Sequence, residues 1–369
     1  MRAVASAAPR ARPLGSDPSL ARAALVVGGG VLLLAIVLVA GVGLGSVGVS
    51  LDDTAAILGR RILGLPLPEN WPRAAETIIF EIRLPRVLTA MLVGGGLATA
   101  GVVFQAILRN PLADPYVIGT AAGASLGAVA GIVLPRFVPF VAVLAGTSWL
   151  GLGLVQLLAF AAGLGTVLAV YAIARGSGGV SVVTLLLVGY AISSVLAAGI
   201  ALLMFVSGNA LGQIFGWLMG SLAGASWPSL AFATPLVAVS LVLLVSRWRR
   251  LNVLLIGDAH AAALGVDVER EKLILTVLAT LATSAVVAVS GTIGFVGLVV
   301  PHVLRLAMGP DHRLLLPGSV LLGAALLATA DLGARLAGGV PVGVVTALLG
   351  APFFLWLLRR ARAIGPAFP

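Results

Sequence analysis

The sequence predicts an all-α polytopic membrane protein with ten transmembrane helices and both termini in the cytoplasm. Of its 369 residues, 60% are hydrophobic and 10% are charged, and its mean hydropathy is +1.14. A soluble domain carries about 25% charged residues, because its surface must face water. The 13 acidic and 23 basic residues are too few to cover a 37.1 kDa globule. A soluble enzyme is therefore excluded, and the hydropathy also excludes a disordered chain.

Ten stretches are long and apolar enough to cross a bilayer, which takes about 20 largely apolar residues. We interpret the first as an anchor, because it exceeds the apolar part of a signal peptide and no A-x-A site follows it. Residues 25–360 then form one ten-span domain between cytoplasmic tails at 1–24 and 361–369. The predicted spans are Leu25–Leu44, Val87–Leu108, Tyr116–Leu134, Leu150–Ala174, Val180–Val206, Leu230–Val245, Leu273–Ser290, Ile293–Met308, Leu314–Ala334 and Val342–Leu358.

The segments between the spans differ in character. Residues 45–86 hold ten charges and are predicted to be a long loop. The apolar stretch 137–149 is too short to span, so we expect it to be interfacial or re-entrant. Within 207–228, apolar residues recur at helical spacing, which predicts a short helix at the membrane surface or in a cavity. These residues are Leu211, Ile214, Phe215 and Leu218.

Glycines recur every fourth residue in the third predicted span. Gly119, Gly123, Gly127 and Gly131 would lie on one face of a helix. Small residues at this spacing let a neighbouring helix approach closely. The pattern therefore predicts tight packing of this span against another.

The distribution of basic residues predicts the orientation. With the N-terminus inside, 16 of the 23 Lys and Arg residues fall in cytoplasmic segments, as the positive-inside rule expects. A net charge of +10 would suggest nucleic-acid binding in a soluble protein. In a membrane protein it marks the cytoplasmic loops, so no nucleic-acid partner is expected.

Motifs for chemistry are weak throughout the chain. The match to a nucleophile elbow around Ser125 has no strand before it, so an intramembrane hydrolase is a remote alternative. The chain has no cysteine and no metal-ligand spacing among its three histidines, so neither a metal site nor a cofactor is expected. A Walker A loop is missing, because the only lysine, Lys272, follows Glu271 and no glycine. If ATP drives this protein, a second polypeptide must hydrolyse it.

Ion-coupled secondary transport is the main alternative. It needs ionisable residues inside the membrane, and Asp331 is the best candidate for a proton or cation site. Arg335 lies one helical turn away, so the two side chains are also placed to neutralise each other.

The segment 247–272 is the best candidate for contact with a cytoplasmic partner. Ala259, Ala262 and Ala263 would form a small-residue helix face, and Gly265 is placed to end that helix. Composition alone leaves an ordinary inter-span loop with snorkelling basic residues equally open.

Five stretches together resemble the permease subunit of type II bacterial ABC importers for iron–siderophore, haem and cobalamin, the FecCD-type family. Their order extends over most of residues 80–360. The stretches are 109–115 (RNPLADP), 216–222 (GWLMGSL), 291–302 (GTIGFVGLVVPH), 309–313 (GPDHR) and 341–352 (PVGVVTALLGAP).

The resemblance implies partners and site residues. It implies a homodimer in the lipid bilayer that binds a cytoplasmic ABC ATPase dimer, with an extracytoplasmic substrate-binding protein delivering a metal chelate. Residues matching the family's coupling helix, which seats in the ATPase, are Gly257, Asp258, Ala259, Ala262 and Gly265. Positions matching the docking arginines are Arg60 or Arg61, and Arg335. Residues matching the translocation pathway are Tyr190, Ser193, Ser194, Met204 and Asn209.

Overall fold

The computed structural model describes residues 18–45, 47–147, 152–176 and 179–363. The first 17 residues of the predicted N-terminal tail and residues 364–369 of the predicted C-terminal tail lie outside these ranges. So do Leu150, where the fourth span was predicted to begin, and residues 148–149 of the stretch predicted to be interfacial or re-entrant.

The described part of the chain is built almost entirely from α-helices. In chain order they are α1 (Pro18–Gly43), α2 (Leu51–Leu63), α3 (Arg73–Thr77), α4 (Leu84–Ile107), α5 (Thr120–Val133), α6 (Pro139–Ala145), α7 (Leu154–Ala174), α8 (Val182–Val206), α9 (Leu211–Leu218), α10 (Trp227–Ser246), α11 (Trp248–Leu255), α12 (Asp258–Ala263), α13 (Val268–Ser290), α14 (Val296–Met308), α15 (His312–Leu336) and α16 (Val342–Ala363).

Short irregular elements join some of these helices. A π-helical turn, Ile78–Arg83, links α3 to α4, and 3₁₀ turns at Leu134–Arg136 and Gly208–Ala210 follow α5 and α8. Strands β1 (Arg175–Gly176) and β2 (Gly179–Val180) pair antiparallel between α7 and α8. This two-residue ladder is the only departure from an all-α fold among the described residues.

Every predicted span overlaps a helix of the structure. Seven helical segments are long and apolar enough to cross a membrane, and α5 with α6, bent by 115°, would make an eighth. The apolar helical stretches Val296–Met308, which is α14, and Val342–Trp356, within α16, are shorter. Because of the bend between α5 and α6, the described part of the stretch 137–149 does not continue straight on from α5, and its interfacial or re-entrant position stays a prediction. The count of ten spans and the cytoplasmic position of the termini stay predictions.

The predicted loop 45–86 is largely helical. Ser50 caps α2 by accepting a 3.0 Å hydrogen bond from the Asp53 amide, and Gly64 ends the helix with a φ of +66°. The second span begins earlier than predicted, because Arg73–Ile107 forms one continuous helical segment of 35 residues. The charged residues near the start of this segment made its first part look like a loop in the sequence.

Glycines set the closest helix contacts. A Cβ at Gly127 would lie 2.2 Å from the Leu158 carbonyl oxygen on α7, which confirms the predicted packing face of α5. A Cβ at Gly94 on α4 would lie 2.1 Å from the carbonyl oxygen of Gly323 on α15. Both helix pairs pack backbone against backbone, which only glycine permits.

Candidate functional site

The segment 247–272 resolves into α11, α12 and the first turn of α13. Gly257, with a φ of +113°, separates α11 from α12. Gly265, with a φ of +80°, follows α12, and its amide donates to the Ala262 carbonyl at 2.9 Å. The prediction that Gly265 terminates a short helix is confirmed. Both turns require backbone conformations that residues with a Cβ rarely adopt.

Helix α12 presents a surface of small residues. Ala259, Ala262 and Ala263 are exposed, whereas Ala261 is fully buried and anchors the helix to the bundle. Leu264, directly after the helix, is 64% exposed. This end of the molecule therefore offers a smooth, partly apolar ridge that another protein can approach closely.

An ion network fixes α12 to the rest of the bundle. The carboxylate of Asp258 accepts a hydrogen bond from Lys272 Nζ at 2.7 Å and pairs with the Arg109 guanidinium through its other oxygen. Arg109 also donates to the Leu254 carbonyl at 3.3 Å. Lys272 lies on α13 and is 4% exposed. The loop after α4, the ridge and the base of α13 are thereby joined.

A second clamp joins α11 to the loop before α15. Asn252 donates to the Asp311 carboxylate at 2.8 Å and accepts from the His312 amide at 2.9 Å. Burial would raise the pKa of Asp311, but the hydrogen bonds from Asn252 and from the Arg313 amide outweigh it and hold that pKa below its ordinary value. We call the region formed by residues 109–115, 247–272 and 309–313 the coupling end of the molecule.

Sequence reasoning missed the role of Asp114 and Tyr116. The Tyr116 hydroxyl donates to the Ile293 carbonyl at 3.1 Å and accepts from the Ile293 amide at 3.2 Å. The hydroxyl thus provides hydrogen-bond partners for both backbone polar groups of Ile293, which lies in the break between α13 and α14. Asp114 accepts from the Tyr116 amide at 2.9 Å, and its burial raises its pKa to about 6. No motif signals these contacts, because the partners are 177 positions apart.

The arginines predicted to dock a delivery protein lie in two environments. Arg60 pairs with Glu69 at 2.6 Å, and Arg61 pairs with Glu76 at 2.5 Å. Both arginine side chains stay substantially exposed, at 41% and 59%. These exposed guanidinium groups can exchange their partners for carboxylates of another protein.

Arg335 is buried, which differs from the exposed position expected of a docking residue. It is 8% exposed, pairs with Asp331 at 3.2 Å and donates to the Gly41 carbonyl at 2.8 Å. It therefore holds the end of α1 against α15. Docking through Arg335 would require its guanidinium to leave these partners.

The structure disfavours Asp331 as an ion-coupling site. Arg86 on α4 donates hydrogen bonds to its carboxylate from two nitrogens, at distances of 2.8 to 3.1 Å. Arg335, on the same helix as Asp331, forms a second ion pair with it. The predicted pairing of Asp331 with Arg335 is confirmed. Two guanidinium groups compensate the charge of this fully buried carboxylate, which disfavours its binding a proton or a further cation.

Ser125 lies within α5, is 6% exposed and has no strand before it. A nucleophile elbow needs a sharp strand-to-helix turn that exposes the hydroxyl. The hydrolase alternative therefore lacks the geometry that it requires.

The predicted pathway residues lie on or after α8. Tyr190, Ser194 and Asn209 are exposed, while Ser193 and Met204 are partly buried. Around them α8 exposes large apolar side chains, including Leu187, Val195 and Phe205, at 64%, 71% and 88%. The chain by itself leaves this face of α8 uncovered.

Comparison with known proteins gives consistent matches over most of the chain. Residues 32–360 match the model of the FecCD transport family. The cobalamin import system permease protein BtuC of Halobacterium salinarum is 42% identical over 80% of this chain and 76% of its own length. The hemin transport system permease protein HmuU of Yersinia pestis is 39% identical over 77% and 84%. The Fe(3+) dicitrate transport system permease protein FecD of Escherichia coli is 39% identical over 84% and 97%.

A solved structure described as an inward-facing conformation of a metal-chelate type ABC transporter has the same fold. It superposes with a TM-score of 0.76 at 32% identity, covering 91% of this chain and 99% of that one. Together with several helices long and apolar enough to cross a bilayer, these matches make the protein a multi-pass inner-membrane protein. The chain belongs to the FecCD transport family, and its relatives are permease subunits of ABC importers.

Proposed function

We propose that this chain is the permease subunit of an ATP-binding-cassette importer that moves a metal chelate across the cytoplasmic membrane by alternating access. The observation that carries the proposal is the exposed ridge of α12, tied by Asp258 to the loop after α4 and to the base of α13. A displacement of α12 would therefore act on α13 directly and on α4 through the loop that follows it. This arrangement is suited to a subunit that receives its motion from another protein.

The proposed partner at the coupling end is a cytoplasmic ABC ATPase dimer. The sequence lacks a Walker A loop, so the nucleotide must bind elsewhere. Ala259 and Ala262 allow a groove of the ATPase to approach the α12 backbone, and Gly257 and Gly265 fix both ends of that helix. ATP binding would close the ATPase dimer and move α12 with it.

A second copy of the chain is the proposed partner of α8. The exposed apolar face of α8 needs cover from lipid or protein, and the polar residues Tyr190, Ser193, Ser194 and Asn209 on or after that helix suit a pathway between two copies. Met204 adds a soft, adaptable surface. On the opposite side of the membrane from the coupling end, Arg60 and Arg61 would dock an extracytoplasmic substrate-binding protein.

The proposed substrate is a ferric siderophore, cobalamin or haem. The relatives named above are described as importing cobalamin, hemin and ferric dicitrate. Helix α8 contains no Arg or His that would bind haem propionates or iron. This absence favours a siderophore or a corrinoid over haem.

The test is ATPase stimulation in the complete complex, reconstituted in liposomes with its ATPase and its delivery protein. Ferric siderophores, cobalamin and haemin are added in separate reactions, and chelate uptake is measured in parallel. We expect one chelate class to raise both ATP hydrolysis and uptake, and vanadate to abolish both. Uptake that follows a proton gradient and ignores vanadate would instead support ion-coupled transport and refute the proposal.

A further inference from the structure

Arg305 is a cation without a counter-ion near the end of α14. Its Nη1 atom is buried, and no ion pair or hydrogen bond joins its guanidinium to any described residue. The other deeply placed arginines differ. Arg83 donates to the carbonyls of Val42 and Gly43, and Arg335 and Arg86 share Asp331. Arg305 is partly buried as a residue, and a guanidinium held there without a counter-ion is unfavourable, so an anionic ligand would stabilise it.

Two buried imidazoles lie near this charge. His302, on the same face of α14 one turn before Arg305, is 4% exposed and has no partner at either ring nitrogen. His312, at the start of α15, is 1% exposed, and its Nε2 has no partner. Arg305 lies within electrostatic range of both rings. Four buried side-chain nitrogen atoms on α14 and α15 therefore have no hydrogen-bond partner: both ring nitrogens of His302, Nη1 of Arg305 and Nε2 of His312.

We propose that Arg305 and His302 form a binding site for a phosphate group, supplied either by a lipid headgroup or by free phosphate. A guanidinium binds phosphate through a planar pair of N–H donors, and the neutral His302 imidazole can add one more. The neutral His312 ring adds none, because its Nδ1 donates to Asn252 Oδ1 and its Nε2 is therefore an acceptor. No acidic side chain pairs with Arg305 among the described residues, so an anion meets no opposing charge there.

The surroundings favour a lipid source. Val303 and Leu306, which flank Arg305 on α14, are 36% and 64% exposed, and Leu355 and Trp356 on α16 are 61% and 50% exposed. His302 packs edge to face against Phe353 of α16, with ring centroids 6.4 Å apart. Acyl chains can lie along this apolar surface while the headgroup reaches Arg305. Basic pockets between the ends of transmembrane helices bind anionic lipid headgroups in this manner.

The site adjoins the coupling end. His312 also binds Asn252 of α11, with Nδ1 at 2.8 Å from Oδ1. His312, seven residues after Arg305, thus belongs to the clamp between α11 and α15. Phosphate binding by Arg305 is separate from the proposed import function, since it requires neither an ATPase nor a chelate.

The experiment measures thermal unfolding of the full-length permease in a neutral, phosphate-free detergent. Phosphatidylglycerol, phosphatidylcholine and inorganic phosphate are added in separate series to the wild type, to Arg305→Gln and to Arg250→Gln. Arg250 is an exposed arginine at the same end, so it controls for general charge. We expect phosphatidylglycerol to raise the Tm of the wild type and of Arg250→Gln by about 2–4 °C, and that of Arg305→Gln by less than half as much.

The comparison between ligands distinguishes their sources. An equal rise with inorganic phosphate supports a free-phosphate site, and a rise with phosphatidylglycerol alone supports a lipid site. Without any phosphate, Arg305→Gln should unfold at a higher temperature than the wild type, because it removes an unpaired charge. If neither ligand separates Arg305→Gln from Arg250→Gln, the proposal is wrong. A rise seen only on adding the ATPase would assign Arg305 to a protein carboxylate and also refute it.

If Arg305→Gln does not fold, native mass spectrometry of the wild type provides the second measurement. Retention of one phosphatidylglycerol per chain, in preference to phosphatidylcholine, would support the lipid site, and its displacement by inorganic phosphate would show that free phosphate also binds. Retention of phosphatidylcholine to the same extent would contradict it.

Discussion

Lys272, the only lysine of the chain, places its buried ammonium 2.7 Å from the carboxylate of Asp258 at the start of α12. Asp258 is half-exposed, and its other oxygen pairs with Arg109. The pair therefore joins an exposed ridge to the base of a long helix. Its energetics can be tested apart from transport.

Replacing Asp258 should destabilise the coupling end. Asp258→Ala leaves Lys272 as a buried, unpaired charge, and we expect the free energy of unfolding to fall by about 1–3 kcal/mol. The double variant Asp258→Ala/Lys272→Met should recover at least half of this loss, because no isolated charge remains. Equal stability of the single and double variants in thermal unfolding would show that the two residues are not coupled.

A bulky residue at Ala262 should uncouple ATP hydrolysis from uptake. Ala262 is exposed on α12, so Ala262→Trp leaves the fold intact but blocks close approach of the ATPase. Basal ATPase activity should persist while chelate uptake falls at least about tenfold, corresponding to about 1.4 kcal/mol of lost coupling. Gly265→Pro should act similarly. Normal uptake by Ala262→Trp with unchanged Tm would exclude α12 as the contact.

Arg61 should contribute to docking of the delivery protein, whereas Arg73 should not. Arg61→Glu reverses an exposed charge, and we expect the affinity for the delivery protein to fall about tenfold at low salt, with a smaller effect at high salt. Arg73→Glu, at another exposed arginine of the segment 45–86, is the matched control. Because Arg335 is buried against Asp331, charge reversal there should lower the Tm as well as the affinity. Equal affinities of the two single variants would contradict a specific role for Arg61.

Gly94 should not tolerate even a methyl group. Gly94→Ala places a Cβ 2.1 Å from the Gly323 carbonyl oxygen, so α4 and α15 must separate. We expect a loss of about 1–3 kcal/mol in stability. Gly165→Ala on α7 meets nothing within 4 Å and should be neutral or stabilising by up to about 1 kcal/mol. The Tm of each variant is compared with that of the wild type. A Gly94→Ala variant with an unchanged Tm would rule out the tight contact between α4 and α15.

Asp114 should make stability pH-dependent. Burial raises its pKa to about 6 in the folded state, from a value of 3.8 when exposed. The folded protein therefore holds more protons between these values, and this carboxyl group's contribution to stability falls as the pH rises from about 4 to 6. Asp114→Asn lacks this titration. The Tm of the wild type should decline relative to that of Asp114→Asn over this range, and parallel curves would refute the assignment.

Much of the architecture follows from one-dimensional patterns. Each predicted span overlaps a helix, since length and hydropathy alone dictate where a chain can cross a bilayer. The glycines of α5 and the terminating Gly265 were also predictable, because their requirements are local. The start of the second span was not predictable. The charged residues between Arg73 and Arg86 are typical of a loop, and only the structure shows that the π-helical turn joins α3 to α4 in one helical segment.

The candidate site divides in the same way. The sequence by itself determined the membrane class, the lack of a Walker A loop and the small-residue face of α12, all of which depend on residue types and their short-range spacing. Only the tertiary structure decided that Asp331 is neutralised by Arg86, 245 positions away, that Arg335 is buried, and that Arg305 has no counter-ion. Burial and pairing of charges depend on contacts between helices distant in the chain, and no local pattern encodes them.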